Sequence, residues 1–269
     1  MPELPEVEVT RRALEPLVGR RIRAVVVREP RLRWPVPPEL AGFVGRRLRA
    51  VRRRGKYLLL DCGGAHLILH LGMSGSLRLV RAGTPAGPHE HVDIAIAGRL
   101  VLRLRDPRRF GAVLCTGGAP EMHPLLAHLG VEPLAPEFDG ARLHALARGR
   151  RISIKQLLMD ARRIAGLGNI YASEALFLAG IHPARRASSL SAACCARLAR
   201  AIRRTLRAAI RAGGSTLRDF VGADGTTGCF QLHARVYGRA GEPCRRCGAP
   251  IRRFVQGQRA SYYCPRCQR

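Results

Sequence analysis

The sequence predicts an α+β protein that has its strands in the first half of the chain and its helices in the second half. Short apolar segments separated by glycine, proline or charged residues run from residue 21 to residue 116, which is typical of an antiparallel sheet. From residue 152 to residue 211 the apolar residues recur at helical spacing instead. Two Cys-x2-Cys pairs near the end of the chain predict a small metal-bound hairpin. The predicted divisions are residues 1–130, a β-sandwich domain; 131–150, a linker rich in proline and glycine; 151–230, a helical domain; and 231–269, a zinc finger.

The first residues predict a helix that carries a candidate nucleophile at its N-terminus. Apolar residues recur at near-helical spacing from Leu4 to Val18, Pro5 suits a first turn, and Gly19 is a plausible stop. Initiator methionine is normally removed before proline, which would leave Pro2 with a free secondary amine. The positive end of the helix dipole disfavours a further positive charge there. This amine should therefore lose its proton more readily than an ordinary α-amino group, whose pKa is roughly 8.

Two carboxylates accompany this amine in the first helical turn. Glu3 and Glu6 are three residues apart, so the helix presents them on one face, close enough to act as proton-transfer partners. Acidic residues in a first turn also complement the helix dipole in proteins that have no amine chemistry. Both interpretations stay open on these residues alone.

The region after the first helix predicts an antiparallel two-layer sandwich with that helix packed at its side. The predicted strands are 22–27, 57–62, 66–71, 76–80, 92–97, 100–104 and 112–115. Lys56 comes directly before the second of them, where an ammonium group could reach a phosphate or a reacting sugar. The alternative is a solvated basic edge. Lys56 and Lys155 are the only lysines among 47 basic residues, which indicates either a need for lysine at these positions or chance survival.

The charge of the chain indicates a polyanionic partner. Lysine and arginine number 47 against 19 acidic residues, a formal net charge of +28, and nucleic acid is the simplest partner for such a surface. A membrane surface is the competing partner, but the sequence has no run of 18 apolar residues and no signal-like segment. We therefore expect a cytoplasmic, nucleoid-associated location. A monomer is also expected.

Two loops of the predicted sandwich carry side chains suited to entering a base stack. Met73 stands between glycines, and Phe110 follows two arginines, one of them Arg108, in a turn-rich segment. Proteins that kink DNA or evert a base insert apolar or long side chains between base pairs. An isolated methionine or phenylalanine in a loop can equally cover a local core.

The second half of the chain predicts helices and one phosphate-binding turn. The predicted helices are 125–129 and 140–147, within the proline- and glycine-containing stretch 117–149, then 152–159, 170–178 and 191–211. Asn169 follows Gly166 and Gly168 at a predicted helix start, where unpaired backbone N–H groups and the Asn amide could bind a phosphate. Residues 213–217 and 222–228 are glycine-rich and are expected to fold over a bound base.

Four cysteines at the end of the chain form the most specific local signal. Sixteen residues separate the pair Cys244 and Cys247 from the pair Cys264 and Cys267, which is the spacing of a structural four-thiolate zinc site. Disulfides are the alternative, and cytosolic proteins rarely keep them. Strands at 251–255 and 259–263 would form a hairpin between the pairs, with Arg259 near its tip as a phosphate contact.

Six motifs together resemble the formamidopyrimidine-DNA glycosylase family of bacterial base-excision enzymes. They are Pro-Glu-Leu-Pro-Glu-Val-Glu at 2–8, Gly-Lys-Tyr-Leu-Leu-Leu at 55–60, His-Leu-Gly-Met-Ser-Gly at 70–75, Asp-Pro-Arg-Arg-Phe-Gly at 106–111, Gly-Asn-Ile-Tyr-Ala-Ser-Glu at 168–174, and the four cysteines. The resemblance implies a sandwich domain, a helix-two-turn-helix module and a zinc finger, with damaged duplex DNA in the cleft between them. It also implies a lesion-covering loop within 215–229.

The resemblance implies a role for each residue of the catalytic group. Pro2 would attack C1′ of the damaged nucleotide and Glu3 would protonate the sugar ring oxygen. Glu6 would be a supporting acid, and Lys56 would contact a phosphate beside the reaction centre. Lys155 would be important for the processing of 8-oxoguanine.

The DNA contacts follow from the same resemblance. Met73, Arg108 and Phe110 match the residues that fill the gap left by an everted base. Asn169 and Arg259 match the phosphate contacts.

The expected activity is that of a bifunctional DNA glycosylase and AP lyase. Oxidised purines would be removed through an imine on Pro2, followed by β- and δ-elimination. One alternative is the related endonuclease VIII type, which prefers oxidised pyrimidines. The other is a non-catalytic, zinc-containing protein that binds DNA or RNA.

Overall fold

The computed structural model of the protein describes residues 2–215, 230 and 234–269. These residues form two compact units: one comprises 2–128 with 212–215, and the other comprises 129–211 with 230 and 234–269. Within the described residues, no helix has the length and apolar character that a membrane span requires. The segments predicted to cover a bound base, 213–217 and 222–228, lie outside the described residues except for 213–215.

The first unit is an antiparallel two-layer β-sandwich, as the sequence predicts. One sheet has the strand order β1-β6-β7-β5 and the other the order β2-β3-β4-β8. The strands are β1 (Ile22–Val27), β2 (Ala50–Arg54), β3 (Tyr57–Asp61), β4 (His66–His70), β5 (Ser76–Arg81), β6 (Glu90–Ile96), β7 (Leu100–Arg105) and β8 (Ala112–Thr116). Both sheets bury apolar side chains in one shared core, for example Ile94 and Leu102 from one sheet and Leu60 and Leu67 from the other.

The first helix, α1 (Leu4–Leu14), packs against β2 and β3 and positions the N-terminus. Leu4 and Leu14 are fully buried, and Gly19, with φ +88°, ends the short 3-10 turn that follows the helix. The salt bridge from Arg53 Nε to Glu8 Oε2, 3.3 Å long, also joins β2 to the helix. The first turn of α1 is therefore fixed to the sandwich.

The sequence did not predict β2, and its position explains why. The strand lies at the edge of its sheet, and Val51 is its one buried residue while arginines occupy the last three positions. Charged residues on an edge strand prevent edge-to-edge association, so the strand lacks the apolar signal that reveals its neighbours. Lys56 therefore lies in the β2–β3 turn instead of on a basic edge before an isolated strand.

The second unit is helical and ends in a β-hairpin. Its helices are α3 (Gly140–Ala147), α4 (Ile154–Met159), α5 (Asn169–Ala179) and α6 (Ala192–Arg211), and α2 (Pro124–Ala127) precedes them in the first unit. Helix α5 is buried on nearly every side, and α6 packs its apolar face against α5 and α3. The hairpin consists of β9 (Arg252–Gln256) and β10 (Arg259–Tyr263), paired antiparallel.

Residues 131–150 do not form the separate linker that the sequence predicts. They belong to the second unit, where α3 packs against α6 and buries Leu143 and Ala147. Phe138, just before α3, has no exposed surface. Proline and glycine here end short elements, and a few large side chains hold those elements in the helical core.

Candidate functional site

The turn that leads into α1 brings Pro2, Glu3 and Glu6 together. All three residues are buried. The Glu3 N–H donates to Glu6 Oε2 at 2.8 Å, and the Ser215 N–H donates to Glu6 Oε1 at 2.7 Å. Both oxygens of Glu6 thus accept backbone N–H groups, which holds the turn at Pro2 and Glu3 and the segment at 215 in place. This geometry suits a positioning carboxylate at Glu6 more than a proton donor.

Close packing at Gly214 belongs to the same arrangement. Its φ of +82° favours glycine, and a Cβ there would approach Glu6 Oε1 to 3.1 Å. A side chain at this position would push the carboxylate away from Ser215. The sequence pattern Gly-Gly-Ser at 213–215 signals a turn but does not reveal its contact with Glu6, 209 residues away.

Lys56 lies half-buried in the turn between β2 and β3, near the half-buried His70 at the end of β4. Burial, together with the positive charges of Lys56 and Arg33, lowers the pKa of His70 to about 4. The imidazole is therefore neutral at pH 7, and its Nδ1 accepts the Gly72 N–H at 3.0 Å. Its ring also packs against Tyr57, with ring centroids 4.7 Å apart.

His70 thus fixes the backbone that presents Met73. A neutral ring nitrogen can accept a hydrogen bond, whereas an imidazolium carries a donor on both nitrogens. Protonation of His70 would break its bond with Gly72.

Protonation of His70 should make the stability of the protein depend on pH. The unfolded side chain takes up a proton near its ordinary pKa of 6.5, while the folded one resists protonation to about pH 4. Stability is complete above pH 6.5 and falls as the pH drops toward 4, by about 2–3 kcal/mol at pH 4.5. The measurement is urea unfolding at several pH values for the parent and for His70→Asn.

Asparagine offers an oxygen near the position of Nδ1 but does not titrate. The variant should lose less stability than the parent between pH 7 and 4.5. Parallel pH profiles for the two proteins would contradict the assignment to His70.

The loop that carries Met73 and the loop that carries Phe110 are packed together. Gly72 has φ +60°, and a Cβ on it would lie 2.3 Å from the Phe110 carbonyl carbon, so only glycine fits there. The Arg108 guanidinium carbon lies 4.9 Å from the centre of the Phe110 ring. Met73 is 40% exposed and Phe110 is 42% exposed. The predicted intercalating side chains therefore form one exposed cluster and do not cover a local core.

The buried side chain of Asp106 connects these two loops through hydrogen bonds. It is completely buried, accepting the Ser74 hydroxyl on Oδ1 at 2.7 Å and the Gly111 N–H on Oδ2 at 2.7 Å. The sequence motif alone did not reveal a role for Asp106, although Asp-Pro at a strand end is a common signal for side-chain hydrogen bonding to a turn. Its partner Ser74 is 32 residues away, which no local pattern indicates.

In the second unit, Asn169 is the first residue of α5, with Gly168 as the preceding cap. Asn169 is partly exposed, and its Oδ1 has no hydrogen-bond partner among the described residues. The Asn169 side chain therefore lies at the N-terminal end of α5, the end of a helix at which anions commonly bind. Arg259 is exposed at the start of β10, directly after the tight turn of the hairpin.

Lys155 is buried and points into the second unit. Its Nζ donates to the Ala260 carbonyl and to Ser261 Oγ, both at 2.8 Å. These bonds join α4 to β10, the strand that carries Arg259. The arrangement gives Lys155 a positioning role in the hairpin, which the sequence did not suggest.

The four cysteines of the hairpin module fit a metal ion. All four sulfur atoms lie within 4.8 Å of one another, with Cys244 and Cys267 4.0 Å apart and Cys247 and Cys264 3.5 Å apart. A tetrahedral zinc site with Zn–S bonds of about 2.3 Å requires sulfur atoms roughly 3.8 Å apart, whereas a disulfide requires about 2 Å. The cysteines are not paired as disulfides. Together they can hold one structural zinc ion.

Glu174 is the last residue of the motif at 168–174, and the sequence analysis predicted no role for it. It lies on the apolar helix α5 and is 3% exposed. Its two oxygens accept the N–H groups of Arg235, Val236 and Tyr237, each at 2.9 Å. A single acidic residue in an otherwise apolar helix could have predicted this role from the sequence, since a buried carboxylate requires hydrogen-bond donors. Glu174 anchors the start of the hairpin module to α5.

Comparison with known proteins gave matches over nearly the whole chain. The family model described as formamidopyrimidine-DNA glycosylase N-terminal domain matches residues 1–113, and the H2TH domain model of the same family matches 129–221. The model described as zinc finger found in FPG and IleRS matches 241–269. Two curated proteins called formamidopyrimidine-DNA glycosylase, from Thiobacillus denitrificans and Methylococcus capsulatus, are each 59% identical over 271 residues and cover 100% of both chains.

Solved structures agree with these matches. The MutM (Fpg) protein of Thermus thermophilus is 42% identical, with a TM-score of 0.88, over 99% of this chain and 98% of that one. Lactococcus lactis Fpg in complex with DNA containing an abasic site is 35% identical, with a TM-score of 0.90, over 99% of each chain. The same Lactococcus protein with N7-benzyl-Fapy-dG DNA has a TM-score of 0.91 at 35% identity and full coverage.

Proposed function

This chain belongs to the formamidopyrimidine-DNA glycosylase family, and we propose that it excises oxidised purines from duplex DNA and then cuts the strand as an AP lyase. The observation that carries the proposal is the buried turn at Pro2, where Glu6 holds the backbone on both sides. The relatives at 59% identity bear the glycosylase name, and solved complexes of the Lactococcus relative contain N7-benzyl-Fapy-dG DNA or abasic-site DNA. These similarities support formamidopyrimidine excision, and the lyase step rests on the amine chemistry.

The amine of Pro2 acts as the nucleophile. Its nitrogen forms a bond to C1′ while the bond from C1′ to the base breaks, and the base leaves with the bonding electrons and takes up a proton. Glu3 then gives a proton to the sugar ring oxygen, the ring opens, and the nitrogen loses its own proton. An iminium now joins Pro2 to the sugar.

Strand cleavage follows from the iminium. The positive nitrogen withdraws electrons and acidifies the proton on C2′, so that loss of this proton expels the 3′ phosphate. A further elimination expels the 5′ phosphate. Lys56, in the β2–β3 turn, contacts a phosphate beside this centre.

The exposed cluster of Met73, Arg108 and Phe110 fills the space left when the damaged nucleotide leaves the stack. Eversion costs a few kcal/mol, which side-chain insertion and phosphate contacts offset. Asn169 and Arg259 supply phosphate contacts in the second unit. Lys155 acts indirectly, because its hydrogen bonds hold β10, the strand that carries Arg259, against α4.

Zinc, held by Cys244, Cys247, Cys264 and Cys267, supplies a structural cross-link to the hairpin and takes no part in the chemistry. No step above needs a second copy of the chain, so we propose a monomer. Its substrate, chromosomal DNA, would place it on the nucleoid in the cytoplasm.

A preference for oxidised pyrimidines is the second candidate, because one solved complex of the Lactococcus relative contains an oxidised pyrimidine. A side-by-side assay on duplexes that differ only in the lesion separates the two. We expect excision of 8-oxoguanine opposite cytosine to be at least about tenfold faster than excision of thymine glycol. Equal rates, or faster release of thymine glycol, would assign the chain to the pyrimidine-specific type.

A further inference from the structure

One face of α6 carries a groove lined by arginine alone. The groove has a volume of about 300 Å³, and its described lining residues are Arg200, Arg203, Arg204, Arg207 and Arg211. Their spacing of three, one, three and four residues places them on one side of the helix. The opposite side is buried against α3 and α5. The groove is therefore a purely cationic surface on a rigid element.

No carboxylate of the described chain neutralises this groove. Helix α6 contains no aspartate or glutamate, and none of its arginines forms a salt bridge within the described residues. In α1, by contrast, Arg11 and Arg12 both pair with Glu8. Like charges three and four residues apart oppose helix formation, so an arginine face without acids lacks the usual internal compensation. A bound anion from another molecule would neutralise the repulsion between these arginines.

The neighbours of the groove differ from those of the predicted phosphate contacts. Arg203 donates from Nε to the Phe138 carbonyl at 2.9 Å, which fixes the groove beside the segment before α3. The hairpin that carries Arg259 packs against α5 instead. Neither Asn169 nor Arg259 lines the groove.

The size and chemistry of the groove suit a DNA backbone. Arg200 and Arg211 are eleven residues apart, which is about 16 Å along a helix at 1.5 Å per residue. One strand of duplex DNA presents a phosphate about every 3.4 Å along the helix axis, so roughly five phosphates of one strand would lie along this length of α6. One guanidinium group can donate two parallel hydrogen bonds to two oxygens of a phosphate. A lipid surface fits poorly, because the apolar side of α6 is buried.

We propose that this α6 groove binds the phosphate backbone of a second, undamaged DNA segment while the protein holds a lesion-containing duplex. The groove then gives the protein a second contact with DNA, through which it can transfer between segments. The proposal goes beyond base excision and does not depend on the chemistry at Pro2.

The test uses a quadruple variant in the full-length, zinc-loaded protein, with Arg200, Arg204, Arg207 and Arg211 changed to Gln. Its control changes four other exposed arginines of the same unit, Arg142, Arg148, Arg150 and Arg151, to Gln. Each variant lowers the formal charge by four, from +28 to +24, so that only the location of the charge differs. Each protein is first saturated with a short duplex that carries a stable abasic-site analogue. A fluorescent undamaged duplex of about 20 bp is then titrated between about 50 and 200 mM salt.

We expect the parent and the control to bind the second duplex with the same steep salt dependence. The groove variant should bind the second duplex at least about tenfold more weakly. The plot of the logarithm of the binding constant against the logarithm of the salt concentration should also become less steep. Its slope should decrease in magnitude by up to about 3.6, because each of the four lost phosphate contacts contributes about 0.9. Equal binding by the two variants, or no binding of a second duplex by the parent, would overturn the proposal. So would stronger competition by polyglutamate than by undamaged DNA of equal charge, because it would assign the groove to an acidic protein.

Circular dichroism and the melting temperature check that the variants are folded. If the quadruple variant does not fold, the double variant Arg204→Gln/Arg207→Gln carries the same test with an expected slope change of about 1.8. A parallel variant with lysine at the four positions should keep most of the salt dependence. Loss of that dependence with lysine would contradict backbone binding, since lysine is an ordinary phosphate ligand.

Discussion

Replacing Pro2 with glycine is expected to lower both borohydride trapping on an abasic-site duplex and strand cleavage by roughly 100-fold or more. A secondary amine forms an iminium that has no N–H proton to lose, so its positive charge persists and acidifies the sugar. Glycine forms an ordinary imine, which is largely neutral at pH 7 and withdraws electrons weakly. The measurement is the amount of covalent protein–DNA adduct, together with single-turnover cleavage rates.

Two controls separate the amine from the fold of the first turn. Pro5→Ala alters another buried proline of the same turn that bears no terminal amine, and it should keep trapping near the parent level. A chain extended before Pro2 keeps the ring but turns its nitrogen into an amide, and it should trap nothing. An adduct of undiminished yield from Pro2→Gly, or from the extended chain, would exclude Pro2 as the nucleophile.

Replacing Asp106 with alanine is expected to cost about 2–4 kcal/mol of unfolding free energy and to weaken lesion-duplex binding at least about tenfold. The change leaves the buried Gly111 N–H and Ser74 hydroxyl without their acceptor. Because these bonds hold the Met73 and Phe110 loops together, the exposed cluster would lose its fixed geometry. Urea unfolding and binding to an abasic-analogue duplex give the two quantities.

Asp106→Asn distinguishes geometry from charge at this position. Its oxygen can accept the Gly111 N–H while its amide donates to Ser74 Oγ, which also accepts hydrogen bonds. The cost should therefore stay below about 1.5 kcal/mol. Asp139→Ala, which removes an exposed carboxylate bonded to the Arg142 N–H, should cost about 1 kcal/mol and leave DNA binding unchanged. A loss for Asp106→Asn as large as for Asp106→Ala would show that the negative charge is what matters.

Much of the secondary structure could be predicted because its elements have strong local patterns. Strand β1 and helix α3 begin and end at the predicted residues, and the cysteine pairs locate the hairpin. Strand β2 was missed because its residues are mostly arginines at a sheet edge. The packing of α3 against α6 was missed because a short helix among prolines resembles a linker until its partner is known.

The candidate site divides in a similar way. Pro2, Met73 and Phe110 stand in short motifs whose residue types suggest their chemistry, so they could be selected before the structure was known. The contacts of Glu6 and Lys155 could not, because their partners are 209 and 106 residues away along the chain. Those contacts change the interpretation of both residues from chemistry to positioning.

The family follows from the sequence by itself, because a nucleophile, a zinc knuckle or a glycine turn needs particular residue types at short spacing. The tertiary structure alone decided which loops support one another. Met73 and Phe110 form one cluster because Gly72 admits no Cβ beside Phe110 and because Asp106 bonds to Ser74 across 32 residues. Such contacts arise when strands pair and bury polar groups together. Hydrogen bonds between distant segments therefore leave no periodic trace in the sequence.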